Sequence, residues 1–389
     1  MIQNPIALVL VLLAIEAGVL YLANHKKFSK YFDVLPSVFW IYFLPMLASS
    51  CGLIDAKAEI YSQITTYLLP MALFLLLMTV DIKAILRLGP SALVMFFIGT
   101  LGIMFGMVVV FVLFKNLIGV QFWSGFAALA GSWTGGSANM IAVKEAIGTP
   151  DEVFLPMVIV DTIVPYVWMA LMVAGVGLAP VIDRLNKADR QVLNDLQARI
   201  QQVDTVKVKK LTISRVLGLV MLAVSGGMLS IHLGQLFPQI KGVISTYAWT
   251  IIIVSCLGIA LSLTPARKLE ANGTNKVGYF ILYFVLTTIG AKASVSHLGA
   301  AVILLLAGFL VVAIHALILL AAARLFKLPL FLAVVSSQAN VGGVASAPLV
   351  AEIYQKGFAS VGLLLAILGN IEGTYMGIIT GQLCHYFAH

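Results

Sequence analysis

The stretch GSWTGGSANM, residues 131–140, decides how this chain is read. Its flanks are continuous apolar sequence of the kind that fills a membrane helix. The stretch itself holds Gly131, Gly135 and Gly136 together with Ser132, Thr134, Ser137 and Asn139. Unwound backbone in hydrocarbon leaves N–H and C=O groups without partners, which costs several kcal/mol each. It survives at membrane depth only where protein or a polar cavity satisfies it. Further on, VSSQANVGGVASAP (335–348) interrupts a second apolar run in the same manner. Paired breaks of this kind ask for a common explanation.

Composition sets the frame. Of 389 residues, 61% are hydrophobic and 10% charged, a balance that soluble globular proteins do not have. Twelve apolar stretches are candidate spans: 5–23, 34–53, 62–80, 90–114, 122–145, 153–179, 214–235, 244–263, 276–291, 300–324, 329–352 and 358–386. The first reads as a membrane helix rather than a cleaved signal, because the basic HKKFSK follows it instead of preceding it. The net charge of +8 comes mainly from Lys and Arg in short loops, where they orient helices; nucleic acid is not an expected partner. Cys51, Cys256 and Cys384 lie far apart, make no metal spacing or disulfide framework, and read as small buried residues. The polar segment 181–213 carries apolar residues Leu185, Val192, Leu193, Leu196, Ile200 and Val203 near helical spacing, which predicts an amphipathic linker helix between two halves.

The halves resemble each other. Leu88-Gly89 falls on Leu298-Gly299, Gly135-Gly136 on Gly342-Gly343, Asp161 on Asn370 and Tyr166 on Tyr375, in the same order and at nearly one offset. Charge gives the hand of the repeat. Lys26, Lys27 and Lys30 put the first loop inside; Lys83 and Arg87 do the same for the third; Lys209, Lys210 and Arg215 hold the central linker inside. Parity is then met if each half has about five crossings plus one broken or re-entrant segment. The expected fold is an all-α polytopic membrane protein of two inverted repeats, 1–180 and 214–389, joined by the cytoplasmic linker 181–213, with both termini outside. In space, 34–80 and 244–291 would form a scaffold with a homodimer interface, and 90–179 and 300–386 a transport core.

Glycine lets the backbone turn and lets a ligand approach it. The freed helix ends attract ions of opposite sign. Two breaks meeting near the bilayer midplane are the recurring design of secondary-transporter sites. Small residues for tight packing explain spacings such as GTLGIMFG (99–106), but not the amides Asn139, Gln338 and Asn340. A carboxylate at Asp161, inside VIVDTIVPYVWMA, is costly at that depth and marks function. The expected ion site is Asp161, Thr162, Asn139, Ser137 and Thr134. The expected substrate side is Gly135, Gly136, Gln338, Asn340, Gly342, Gly343, Asn370, Glu372 and Thr374. Oxygen ligands of this kind fit Na⁺, and a buried carboxyl fits H⁺ equally well. No other cofactor or metal and no enzymatic activity is expected, since HExxH, GxSxG and a closely spaced acid pair in a span are all missing from the sequence. Lys144-Glu145 reads as a solvent-side pair, Lys292 as an interfacial cation, and Glu16 and His315 as hydrogen-bonded interior groups.

GGSANMIAVKEAIGTP together with SSQANVGGVASAPLVAE resembles the YjcL-like family of integral membrane proteins (domain of unknown function family 819), over nearly the whole chain. At greater distance, two inverted halves with Gly-rich breaks are similar to the glutamate–sodium, 2-hydroxycarboxylate and bile acid–sodium symporters. This chain has GGSA at 135–138 and GGVA at 342–345 where the citrate-type carriers have GGxG tips. What this distant resemblance implies is an ion-coupled, elevator-type carrier. The freed helix N-termini lean towards a small carboxylate-bearing, amino-acid or peptide-like solute, so the expected function is Na⁺-coupled symport of such a solute in a plasma (inner) membrane, in contact with lipid. A cation/proton antiporter or H⁺-coupled carrier stays open beside it; an intramembrane enzyme or sensor stands further off.

Overall fold

The computed structural model describes the chain apart from residues 35–36, 190, 201–208, 210, 239–245, 293–300 and 389. Lys207 and Lys210 of the linker, and the Leu298-Gly299 pair of the repeat, lie outside the described residues. The first half runs α1 (Pro5–Asn24), α2 (Ser29–Val34), α3 (Ser37–Ser50), α4 (Glu59–Met78), α5 (Ile82–Leu86) and α6 (Pro90–Ile118). Next come α7 (Trp123–Gly135), α8 (Ser137–Ile147), α9 (Asp151–Ala174), α10 (Ala179–Asn186) and α11 (Gln191–Ile200). The second half runs α12 (Ile213–Gln235), α13 (Thr246–Ser262), α14 (Thr274–Lys292) and α15 (Ala301–Leu325), then α16 (Leu330–Val341), α17 (Gly343–Tyr354) and α18 (Ala359–Ala388). Among the described residues there is no strand, only an isolated bridge between Ile2 and Ile54.

Helix starts and stops follow local chemistry. Asn4 opens α1 by accepting from the N–H groups of Ile6 and Ala7, with Pro5 in the first turn, where its missing N–H costs nothing. Gly89, at φ +79°, turns the chain into Pro90 and α6.

Seven described helices are long and apolar enough to cross a membrane, or eight if α13 and the segment after it count as one span. The chain is an all-α polytopic membrane protein. Two of the twelve apolar stretches are the interrupted segments expected from the sequence, and apolar composition persists through the points where those helices stop. The run 122–145 is two short helices, α7 and α8, and 329–352 is likewise α16 and α17. Among the described residues, the run 34–53 contains the short apolar helix Phe39–Ser50. α13 ends where Thr264 accepts from Ala266 N–H and Pro265 cannot continue the ladder, and the chain turns by 94° into Pro265–Asn272.

Contacts divide the chain into two compact units. The first comprises Met1–Val80, Glu145–Thr162 and Val206–Ala301; the second comprises Asp81–Lys144, Ile163–Thr205 and Val302–His389. Segments 34–80 and 244–291 fall in the first unit, and residues 145–162 join them there. In that unit α14 packs on α3 and α4, and α12 and α13 pack on each other and on α4. Small residues permit the close approach: Gly290 abuts the Tyr42 backbone, Gly226 the Phe74 ring and Gly258 the Leu77 side chain. Thr65 and Thr288 share a hydroxyl contact at 3.2 Å, and Thr79 donates to Asn275 Oδ1 at 2.9 Å.

Several single-residue expectations change. Lys292, expected as an interfacial cation, makes an ion pair with Asp151 at 3.9 Å. Glu16 lies in the buried stripe Leu8, Leu12, Glu16, Val19 of α1, yet neither carboxyl oxygen has a hydrogen-bond partner among the described residues. Lys144 is buried, not solvent-side. Cys384 is buried, whereas Cys51 and Cys256 are exposed. The described part of the linker holds two short helices, α10 and α11, and Lys187 after α10 takes a left-handed conformation.

Candidate functional site

The second unit is built around α18, which packs against α6, α7, α16 and α17. Its sequence GNIEGTYMG places Gly369, Gly373 and Gly377 one turn apart on one face. That face meets Gly131 and Gly135 of α7. A methyl on Gly373 would lie 2.5 Å from Gly135 Cα, and one on Gly377 would lie 2.9 Å from Gly131 Cα. Backbones touch here because neither helix has side chains in the way. The glycines of GTLGIMFG act likewise in α6, where Gly102 and Gly106 lie against His315 and Val311 of α15.

The first break sits at the edge of this crossing. Gly136 has φ +83°, a conformation costly for residues with a Cβ, and it separates α7 from α8. Asn139 closes the gap: its Nδ2 donates to the Gly135 carbonyl at 2.6 Å and to the Asn370 carbonyl at 3.4 Å. Thr374 donates its hydroxyl to Asn139 Oδ1 at 2.5 Å. The carbonyl freed at the end of α7 is thus met by a side-chain amide, as burial requires.

The second break is tighter. Gly342 stays in the right-handed region and Gly343 takes φ +61°. Gln338 Nε2 donates to Ser346 Oγ at 2.5 Å, and both side chains close around Gly342. Asn340 Nδ2 donates to Thr100 Oγ1 of α6 at 3.0 Å, and Thr100 in turn donates to Glu372 Oε1 of α18 at 2.5 Å. A third strand of the network starts at the Gly99 carbonyl. His315 Nδ1 lies 2.9 Å from it, and Nε2 lies 3.0 Å from Ser337 Oγ. A carbonyl only accepts, so Nδ1 carries the proton. Trp168 completes this strand by donating to Ser337 Oγ at 2.9 Å. Thr100, Asn139, His315, Ser337, Asn340, Glu372 and Thr374 are all buried.

The structure therefore brings Asn139, Gly135, Gly136, Asn370 and Thr374 together at one break. It gathers Gln338, Gly342 and Gly343 at the other, with Asn340 and Glu372 joined through Thr100. Thr134 spends its hydroxyl on its own helix, donating to Ala130 O at 2.8 Å, and Thr162 does the same with Val158 O at 2.8 Å. Ser137 is half-buried at the start of α8. Asp161, half-buried on α9, and Thr162 belong to the first unit; the other expected site residues belong to the second. His315 is hydrogen-bonded in the interior, as expected for it. Sequence reasoning missed Thr100, Trp168 and Ser346. A threonine within an apolar helix usually satisfies its own carbonyl, and nothing in GTLGIMFG marks Thr100 as an exception.

Comparison with known proteins agrees with this membrane architecture. Residues 11–387 match the family described as "Protein of unknown function (DUF819)". The chain is also 24% identical over 347 residues to "Uncharacterized membrane protein YjcL" of Bacillus subtilis (strain 168), covering 85% of this chain and 86% of that protein. The chain belongs to the DUF819 family.

Proposed function

We propose that this DUF819 membrane protein is a secondary active transporter, a cation-coupled symporter of a small carboxylate-bearing solute such as an amino acid or peptide-like compound. One observation carries the reading: two interrupted helices, α7/α8 and α16/α17, abut the same helix α18 and gather buried amides, hydroxyls and Glu372 inside an otherwise apolar unit. Such polar groups are expensive in a membrane protein and are retained for substrate and ion pathways. The starts of α8 and α17 supply N–H groups without intrahelical partners, which favours an anionic group on the solute.

The order of helices supports an internal repeat. Pro5 and Ile213, Trp123 and Leu330, and Asp151 and Ala359 begin corresponding helices at similar separations. Loop charge favours inversion of the two halves in the inner membrane, with the linker cytoplasmic. Alternating access then consists of the site-bearing unit moving as a rigid body while the other, the candidate dimer interface, stays fixed. The division into compact units supports that reading. No step of this scheme needs enzyme chemistry.

The test is reconstitution into liposomes and a screen of radiolabelled amino acids, short peptides and carboxylates under an inward Na⁺ gradient or an inward H⁺ gradient. Saturable accumulation of one solute class above equilibrium is expected. Ion flux with no solute dependence would make the protein a cation/proton antiporter and refute symport.

A further inference from the structure

We infer that the second break is a sodium site, formed by Glu372 Oε2 of α18 and Asn340 Oδ1 of α16, with Thr100 tying the two side chains together and Ser336 one turn before Asn340. The inference rests on the transporter reading only for the ion's role as driver; binding itself is a separate property.

The two breaks differ in how far their oxygens are satisfied. At the first, Asn139 Oδ1 accepts from Thr374, the Gly135 carbonyl accepts from Asn139, and the Thr134 hydroxyl is spent on its own helix. At the second, Glu372 Oε2, Asn340 Oδ1, Gln338 Oε1 and Ser336 Oγ are buried with no partner among the described residues. Leaving one such group unmet is costly, and more so for a carboxylate. Thr100 links two of these side chains: its hydroxyl donates to Glu372 Oε1 and accepts from Asn340 Nδ2, which leaves Glu372 Oε2 and Asn340 Oδ1 as the unmet atoms of a pair joined through one hydroxyl. Ser336 and Asn340 stand four residues apart on one face of α16.

The chemistry selects a hard monovalent cation. Carboxylate and amide oxygens are acceptors, and two acceptors do not satisfy each other. A proton on Glu372 would supply one donor for one acceptor, whereas a cation takes oxygen ligands from the carboxylate, the amide and a hydroxyl alike. His315 is engaged at both ring nitrogens, and no cluster of three His, Cys, Asp or Glu exists among the described residues, so a transition metal is not favoured. One carboxylate balances one charge; divalent ions ask for more. Asn340 also lies in the last turn of α16, whose C-terminal partial charge is negative. Gly99 makes room: a methyl there would run into Asn340 Oδ1.

The experiment is a thermal-shift titration of purified protein with NaCl against KCl and choline chloride at constant ionic strength, at two pH values. The variants are Glu372→Gln and Thr100→Val. A ligand of the native state raises the melting midpoint by mass action. Wild type should show a saturable, Na⁺-specific rise. In Glu372→Gln the midpoint of that titration should move up about ten-fold or disappear, since a charged ligand is lost. Thr100→Val keeps the carboxylate and should weaken Na⁺ about ten-fold. It decides the matter if Glu372→Gln does not fold. No Na⁺-specific rise in wild type overturns the inference, as does a rise that survives in Glu372→Gln or Thr100→Val. So does a response to pH alone that Glu372→Gln abolishes, which would assign a proton to that carboxyl. Na⁺ binding without transport of any solute would leave the site standing and remove the symporter reading.

Discussion

Gly373 gives the most quantitative handle on the α7/α18 crossing. In Gly373→Ala the new methyl would stand 2.5 Å from Gly135 Cα, 2.8 Å from Gly135 N and 2.9 Å from Asn139 Cγ. Ordinary carbon contacts lie at about 3.5–4.0 Å. The two backbones must therefore part by about 1 Å, and the Thr374–Asn139 bond of 2.5 Å, one residue along, stretches with them. Overpacking by a methylene costs about 1–3 kcal/mol, and rigid backbone on one side puts this case near the upper figure. The control is Gly218→Ala on α12, where a methyl meets nothing within 4 Å. Both substitutions gain the same helix preference of about 0.5–1 kcal/mol, so their difference isolates packing. Differential scanning fluorimetry of the two purified variants should show Gly218→Ala melting at or above wild type and Gly373→Ala below it. A Gly373→Ala protein that melts as high as Gly218→Ala would refute the backbone contact.

Three further outcomes follow from individual contacts. Gly136→Ala should lose about 1–2 kcal/mol from its positive φ alone, because the nearest atom to its methyl is Asn370 Oδ1 at an ordinary 3.4 Å; a melting curve that matches wild type would contradict it. Asp183→Ala should cost about 0.5–2 kcal/mol, since Asp183 Oδ1 accepts from Leu330 N–H at 2.7 Å and caps α16. Hydrogen exchange should quicken at Leu330–Ala333, and unchanged protection there would dismiss the cap. Glu16→Leu should raise the melting temperature, because it removes a buried carboxyl with no partner among the described residues, worth about 1–3 kcal/mol. Loss of folding in that variant would show that the carboxyl has a stabilising role.

What could be read from the sequence depended on whether a residue announces its geometry. Gly136 and Gly343 did, because a positive φ in an apolar run calls for glycine, and both lie at the interruptions read from GSWTGGSANM and VGGVASAP. Asn139, Asn340 and Glu372 did as well, because an amide or a carboxyl in a span needs a reason. Thr100 did not. Thr134 and Thr162 bond their own helices, while Thr100 bonds Glu372, 272 positions away, and all three look alike in sequence. Other helix ends were harder to read, because hydropathy sums composition over a window while a helix ends at a single residue such as Pro265. The turn of 94° after α13 had only that proline and the Thr264 cap to announce it.

The account stands most directly on whether Glu372 works in transport. The decisive measurement is solute accumulation in proteoliposomes under a Na⁺ gradient, comparing wild type with a Glu372→Gln protein shown to melt cooperatively. The account predicts accumulation by wild type that collapses when the gradient is dissipated and is absent from Glu372→Gln. Accumulation by Glu372→Gln equal to wild type would contradict it, and so would folded wild-type protein that concentrates no solute under either gradient.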